Sequence, residues 1–307
     1  MASTVDPITR SVPDAMGAPR QLSRVWRRAM AAQGVAFTGL FLATLLVGVA
    51  ALFVVGVIVV RGIGALSWSF LTTMPSQGMR AGGIFPALIG TLELVALTVL
   101  FALPMGVAAA IYLTEYARDI WLTRVVRLAI VNLSGVPSVV YGLFGLGVFV
   151  VFCRFGTSLL AGSLTLAIMI LPVVITASEE ALRSVPKSFR EVSLSLGASH
   201  WQTTRHVVLP FAIPGIMTGT ILGIGRAAGE TAPILFTVAA FYLPRLPRSI
   251  FDQAMALPYH LYVITTQVPN IPVQQRYGTA LVLLLVVLSM NLLAVILRAR
   301  FRRKRLW

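Results

Sequence analysis

Residues Glu191 to Pro233 read EVSLSLGASHWQTTRHVVLP followed by FAIPGIMTGTILGIGRAAGETAP, a polar loop that runs straight into an apolar helix carrying Arg226 and Glu230. In the loop half, Leu194, Leu196, Trp201 and Val207 recur among Ser, Gln, Thr, Arg and His, an amphipathic pattern whose apolar face fits a partner. Gly197 interrupts that pattern, and a mid-helix glycine is unfavourable by about 1 kcal/mol against alanine. The stretch therefore predicts two short helices around a glycine turn. Pro210 and Pro214 then fall where a new helix starts, positions at which a missing N–H does little harm.

The helix half has another character. Gly215, Gly219 and Gly223 repeat every fourth residue ahead of Ala227, with Gly225 and Gly229 as a second pair. Small residues at this spacing let a second transmembrane helix approach closely. Arg226 and Glu230 share the face of Gly219 at helical spacing. A helix starting near Phe211 carries Arg226 ~22 Å along its axis, past the middle of a ~30 Å hydrocarbon layer.

The composition excludes a soluble globular chain. Of 307 residues, 57% are hydrophobic and 11% charged, against about 25% charged in soluble domains. Apolar runs predict an all-α, polytopic membrane protein with six transmembrane helices over about 36–60, 84–113, 128–152, 159–177, 211–239 and 277–297. They divide the chain into an N-terminal tail (1–30), a membrane domain (31–297) with a polar loop at 179–210 and an opposite loop at 241–276, and a basic tail (298–307). On this layout eighteen Lys and Arg lie on one side, six on the other, and Arg226 within the membrane. That asymmetry places both termini and the 179–210 loop in the cytoplasm, and it explains the net charge of +15 without nucleic acid. The basic C-terminus reads as a lipid-facing anchor.

Inside the third run, Gly135-Val136-Pro137-Ser138 invites a kink or break, and the Pro-rich 241–276 segment has room for short surface helices. Glu93, near the outer end of the second run, reads first as a helix-packing carboxylate. A single cysteine, Cys153, excludes an internal disulfide, and His200, His206 and His260 form no ligand set. No phosphate-cradling G-x-x-x-x-G-K-[ST] is present, and no catalytic constellation or metal spacing stands in a plausible site. The chain is expected to be no enzyme and to hold no cofactor itself.

Glu191, Gly197, Val207 and Leu209-Pro210 resemble the coupling-loop pattern of ABC importer permeases, with an acidic residue, a glycine and an aliphatic-x-Leu-Pro ending. The run Gly225 to Thr237, GRAAGETAPILFT, resembles the PstA-type permeases of phosphate importers, as do GIFPALIGT (Gly83 to Thr91), AIYLTEYAR (Ala110 to Arg118), GVPSVVYGLFGL (Gly135 to Leu146) and ALPYHLYV (Ala256 to Val263). The resemblance implies the type I, MetI-like permease fold in a bacterial inner membrane and a heterodimer with a related permease. It also implies a cytoplasmic ATPase dimer that binds ATP and Mg, and an external phosphate-binding protein. It assigns Glu191, Gly197, Ala198, Leu209 and Pro210 to ATPase coupling, and Arg226, Glu230 and Thr231 to the substrate pathway. One departure stands out: relatives of this type often carry Arg where this chain has Thr176.

Two readings of Arg226 stay open on the residues themselves. It is either one half of an i,i+4 ion pair with Glu230, or a planar, permanently charged donor for a tetrahedral oxyanion. Sulfate, molybdate or phosphonate in place of phosphate, and a secondary anion transporter, are the rival functions.

Overall fold

The computed structural model describes residues 19–303, and the chain divides into two compact units at Val57 and Ile58. Helix α1 (Pro19–Gly62) starts well inside the expected N-terminal tail; Pro19 at its first position suits a helix start, and no further proline interrupts it. Residues 1–18 of that tail, and Lys304 and Arg305 of the C-terminal one, lie outside the described residues.

Among the described residues, five helices are long and apolar enough to cross a membrane: Ala32–Ala65, Phe85–Tyr116, Leu159–Arg183, His200–Gly229 and Val273–Arg300. The third expected helix, 128–152, is a bent pair, with α4 (Trp121–Ser134) and α5 (Ser138–Gly145, extended by a π-helical Leu146–Phe152) meeting at 104°. Pro137, extended at ψ 139°, cannot continue the helix that ends on Gly135, and so a span that reads as continuous in hydropathy turns a corner.

The remaining elements of the second unit are α2 (Trp68–Thr72), a two-residue hairpin (β1 Pro75–Ser76, β2 Ala81–Gly82), α3 (Phe85–Ile111, ending in a π-turn Tyr112–Tyr116), α6 (Leu159–Arg183), α7 (Lys187–Ser195), α8 (His200–Thr203), α9 (Leu209–Gly229), α10 (Ala232–Thr237), α11 (Leu257–Thr266) and α12 (Val273–Arg303). Helix α6 is the centre of this unit, with 67% of its apolar window buried, and it runs past Glu179-Glu180 to Arg183 rather than ending at 177. The polar loop is correspondingly shorter than 179–210. Helix α12 likewise carries Arg298 and Arg300 within the helix instead of stopping before them.

Between helices in lipid, close packing rather than exclusion of water supplies the attraction, so small residues mark the contacts. A Cβ on Gly106 of α3 would come 2.7 Å from Val174 of α6, one on Gly162 of α6 would come 2.7 Å from Val238, and Gly145 abuts Thr165. Leu166, Met169 and Ile170 of α6 are fully buried among these neighbours.

Within the 241–276 segment, residues 254–264 are largely packed into the core while most of 241–253 stays exposed. The backbone N–H groups of Ser158, Leu159 and Leu160, at the start of α6, donate to carbonyls of Thr237, Asp252 and Ile250, which satisfies donors that a helix start leaves free. Helix α11 buries Leu257, Tyr259, His260, Val263 and Ile264, and its Leu257 N–H donates to Thr91 Oγ1 of α3 at 2.8 Å. Tyr259, at 7% exposure, and His260, at 2%, are core residues, whereas Tyr262 is exposed.

Candidate functional site

The polar loop folds into two short helices around Gly197. Helix α7 ends in a Schellman arrangement: Gly197 N–H donates to Leu194 O at 2.9 Å and Ala198 N–H to Ser193 O at 3.2 Å, with Gly197 at φ +85°. A Cβ on Gly197 would meet nothing within 4 Å, so glycine is required there for its backbone angle and not for space. Ser199 and Gln202 then form a reciprocal capping box that starts α8. Val192, Leu196 and Trp201 are left exposed, together with Glu191. Local chemistry thus builds a stiff, amphipathic corner with its apolar side chains turned outward.

Pro210 stands in the first turn of α9, as expected, but no break in the helix precedes it. The chain from His200 to Gly229 is helical throughout, passing through a π-turn at Thr204–Val208 in which Leu209 N–H reaches back to Thr204 O. The widened turn comes just ahead of the proline, whose missing N–H and ring a regular helical turn accommodates badly.

Along α9 the glycines make a flat face against α6. A Cβ on Gly215 would come 2.5 Å from Ala181 Cβ, one on Gly219 would overlap Ala177, and one on Gly223 would touch Ile170 at 3.4 Å. Gly225 faces a different neighbour, Asn291 of α12, whose amide lies 3.1 Å from the Cβ position. Gly229 has nothing within 4 Å, so it makes no packing contact of the kind expected from its spacing.

The expected fifth helix, 211–239, breaks at Glu230. Helix α9 stops at Gly229, Glu230 is extended (φ −74°, ψ 137°), and α10 restarts after Thr231 with Pro233 in its first turn. Arg226 therefore occupies the last turn of α9, where the carbonyl end of the helix favours a cation, and Glu230 is the capping residue. Their ion pair survives the break: Arg226 Nε donates to Glu230 Oε1 at 3.4 Å, with side chains 33% and 18% exposed. No other hydrogen bond among the described residues engages the guanidinium, leaving most of its five N–H donors unused.

Two further polar groups, Tyr141 and Asn291, lie near the end of α9 and were not singled out by the sequence pattern, and Thr231 follows that helix end. Tyr141 of α5 lies within reach of the Arg226 charge, and its hydroxyl donates to Leu133 O at 2.7 Å across the α4–α5 corner. Asn291 Oδ1 is buried without a hydrogen-bond partner among the described residues. Thr231, with no side-chain capping bond, heads α10, which packs against α5 through Pro233, Phe236 and Gly142. Asn291 was visible in principle as a lone amide in the last apolar run, whereas the position of Tyr141 depends on the corner.

Thr176 is used locally, its hydroxyl donating to Pro172 O at 2.8 Å within α6. Glu93 lines a cavity of about 400 Å³ with Arg248 and Ser249, and its Oε2 has no partner among the described residues. Outside the spans, burial pushes the His260 imidazole down to about 4. No group of three His, Cys, Asp or Glu side chains is placed to hold a metal among the described residues.

Residues 102–306 match the family described as binding-protein-dependent transport system inner membrane component. The chain belongs to this family. The permease is 38% identical over 251 residues to the probable ABC transporter permease protein YqgI of Bacillus subtilis (strain 168), a match covering 77% of the chain and 85% of the relative. It is 37% identical over 256 residues to phosphate transport system permease protein PstA 1 of Mycobacterium tuberculosis (strain H37Rv), covering 81% and 82%. Among solved structures, the inward-facing MetNI methionine ABC transporter matches at TM-score 0.56 and 16% identity, covering 74% of the permease and 99% of that chain. That likeness shows the fold, all-α and of the MetI type, and the family match makes the chain a multi-pass inner membrane component.

Proposed function

We propose that this chain is the transmembrane permease subunit of an ATP-driven importer of inorganic phosphate. The observation that carries the reading is Arg226. It is a guanidinium on a membrane-spanning helix whose one hydrogen bond among the described residues, 3.4 Å long, leaves most of its donors free near Tyr141. A purely structural ion pair has no use for unoccupied donors in a bilayer, where apolar residues do better. A tetrahedral oxyanion has such a use, because it takes two parallel N–H bonds from one guanidinium. The similarity to PstA proteins over most of the chain supports phosphate among the oxyanions.

In this reading Arg226 receives the anion. Glu230 balances the arginine when the path is empty, and Thr231 offers a hydroxyl at the head of α10. Glu191, Gly197, Ala198, Leu209 and Pro210 belong to the corner that a cytoplasmic ATPase dimer grips, and ATP and Mg are bound there and not in this chain. A second, related permease completes the path, an external phosphate-binding protein delivers substrate, and both termini lie in the cytoplasm.

The test is uptake of radiolabelled phosphate by the complex co-expressed in a strain lacking other phosphate importers. Uptake that needs ATP and is not competed by sulfate or molybdate is the expected result. Uptake driven by an ion gradient without ATP, or preference for another oxyanion, overturns the proposal.

A further inference from the structure

Helix α7 is nine residues long, too short to hold its shape or position by itself in water, so its anchors decide where it stands. Two of them lie within the same cytoplasmic corner: Phe189 packs on Phe211 with ring centroids 4.9 Å apart, and Ser193 bonds Thr203 at 2.9 Å. The third reaches beyond it. Arg190 Nε and Nη2 donate to the two carboxylate oxygens of Glu115 at 3.2 and 2.8 Å, and Nη1 and Nη2 also donate to Val185 O and Leu182 O at 2.7 and 2.8 Å. Leu182 O lies in the last turn of α6 and Val185 O just past its end, where a cation is favoured. Arg190 and Glu115 are 20% and 12% exposed, shielded enough for the fork to matter.

Glu115 stands on the π-turn that ends α3, and that turn is held from its other side as well. Arg127 of α4 donates to Leu113 O at 2.6 Å and to Glu179 of α6 at 3.3 Å. One end of each of three spans therefore meets at a single polar knot, and Arg190 ties α7 into it. From there α6 runs along the glycine face of α9 toward Arg226, through Ala181, Ala177 and Ile170.

We infer that the Glu115–Arg190 fork is a positioning clasp that carries ATPase-driven movement of α7 into α3 and α6, and so into the anion path. This rests on the importer reading above. Without the clasp, α7 shifts against the membrane helices, and nucleotide turnover no longer forces the path to alternate. Lysine at position 190 keeps the charge but loses the planar fork and most of the four bonds.

The assembled importer in lipid nanodiscs tests this with Arg190→Lys, Glu115→Gln and the double variant, reading phosphate moved per ATP hydrolysed. The expected result is a ratio lowered on the order of tenfold in each single variant, with ATP hydrolysis near wild type. The double variant is expected to be no worse than the poorer single one. An unchanged ratio, or transport and hydrolysis falling in proportion, overturns the clasp. Amide exchange of residues 187–195 in the same samples is independent of what the complex transports: protection should drop about tenfold in Arg190→Lys. Unaltered protection overturns the clasp even if the wild-type complex carries no phosphate, a result that by itself would refute only the importer reading.

Discussion

Glycine serves opposite ends in the two-helix corner around Gly197 and along α9. Gly197 has a left-handed backbone, φ +85°, and empty space around it, while Gly215 and Gly219 are ordinary helical residues with no space at all. The first is a requirement of the local chain, satisfied by two hydrogen bonds and the capping box that follows. The second is a requirement of the neighbour, since α6 occupies the volume a side chain would fill. The Gly197 turn is thus set by its own local bonds, and the α9 face holds its shape only through what packs on it.

The largest expected effect tests whether the membrane half does chemistry at all. Arg226→Gln should cut phosphate uptake by on the order of 100-fold or more while the complex still assembles, because removing the charge abolishes charge-assisted bonds to the anion. Arg226→Lys should retain part of the activity, and Glu230→Gln should lose least. Near-normal uptake by Arg226→Gln returns that pair to a structural role. Next in size is Gly219→Leu, where overpacking against Ala177 should destabilise the α6–α9 contact by about 1–3 kcal/mol. Its readout is loss of assembled complex on size exclusion, and a fully assembled variant would show that the face is not close-packed.

A comparable effect belongs to pH and to a residue whose state depends on packing alone. His260 is held neutral, with its pKa lowered from 6.5 to about 4 by burial in α11. A group whose folded pKa is depressed in this way makes the protein fully stable above about pH 6.5 and progressively less so down to about pH 4, by up to ~3 kcal/mol. Thermal unfolding between pH 4 and 7 should show that slope, and His260→Leu should flatten it. A wild-type curve without the slope would mean that His260 is not shielded from the proton.

The smallest effects are expected in the corner. Gly197→Asp should destabilise the turn by about 1–2 kcal/mol through its left-handed angle, leaving the protein inserted but reducing uptake several-fold. Ser199→Ala should remove one capping bond at about 1 kcal/mol, seen as increased amide exchange at the start of α8. If either disrupted membrane assembly as Gly219→Leu does, the Gly197 turn would not be a matter of local bonds alone.

The amino-acid sequence by itself determined the apolar helices outside 128–152 and 211–239, the two-helix corner around Gly197 and the place of Arg226 on an apolar helix. Each rests on short-range information: apolar run length, turn and cap residues, and a charge where lipid tolerates none. Only the tertiary structure decided that the run 128–152 turns through 104° at Pro137, that α9 ends at Gly229 instead of continuing to 239, and that the 241–276 segment buries α11. Hydropathy does not register these, because a bent pair and a straight span are equally apolar, and a helix break in a membrane is tolerated wherever neighbours satisfy the freed backbone groups. The fork from Arg190 to Glu115 and the approach of Tyr141 and Asn291 to the end of α9 are likewise tertiary. They join residues 75, 85 and 66 positions apart, and no local pattern records which distant side chains a close-packed face brings together.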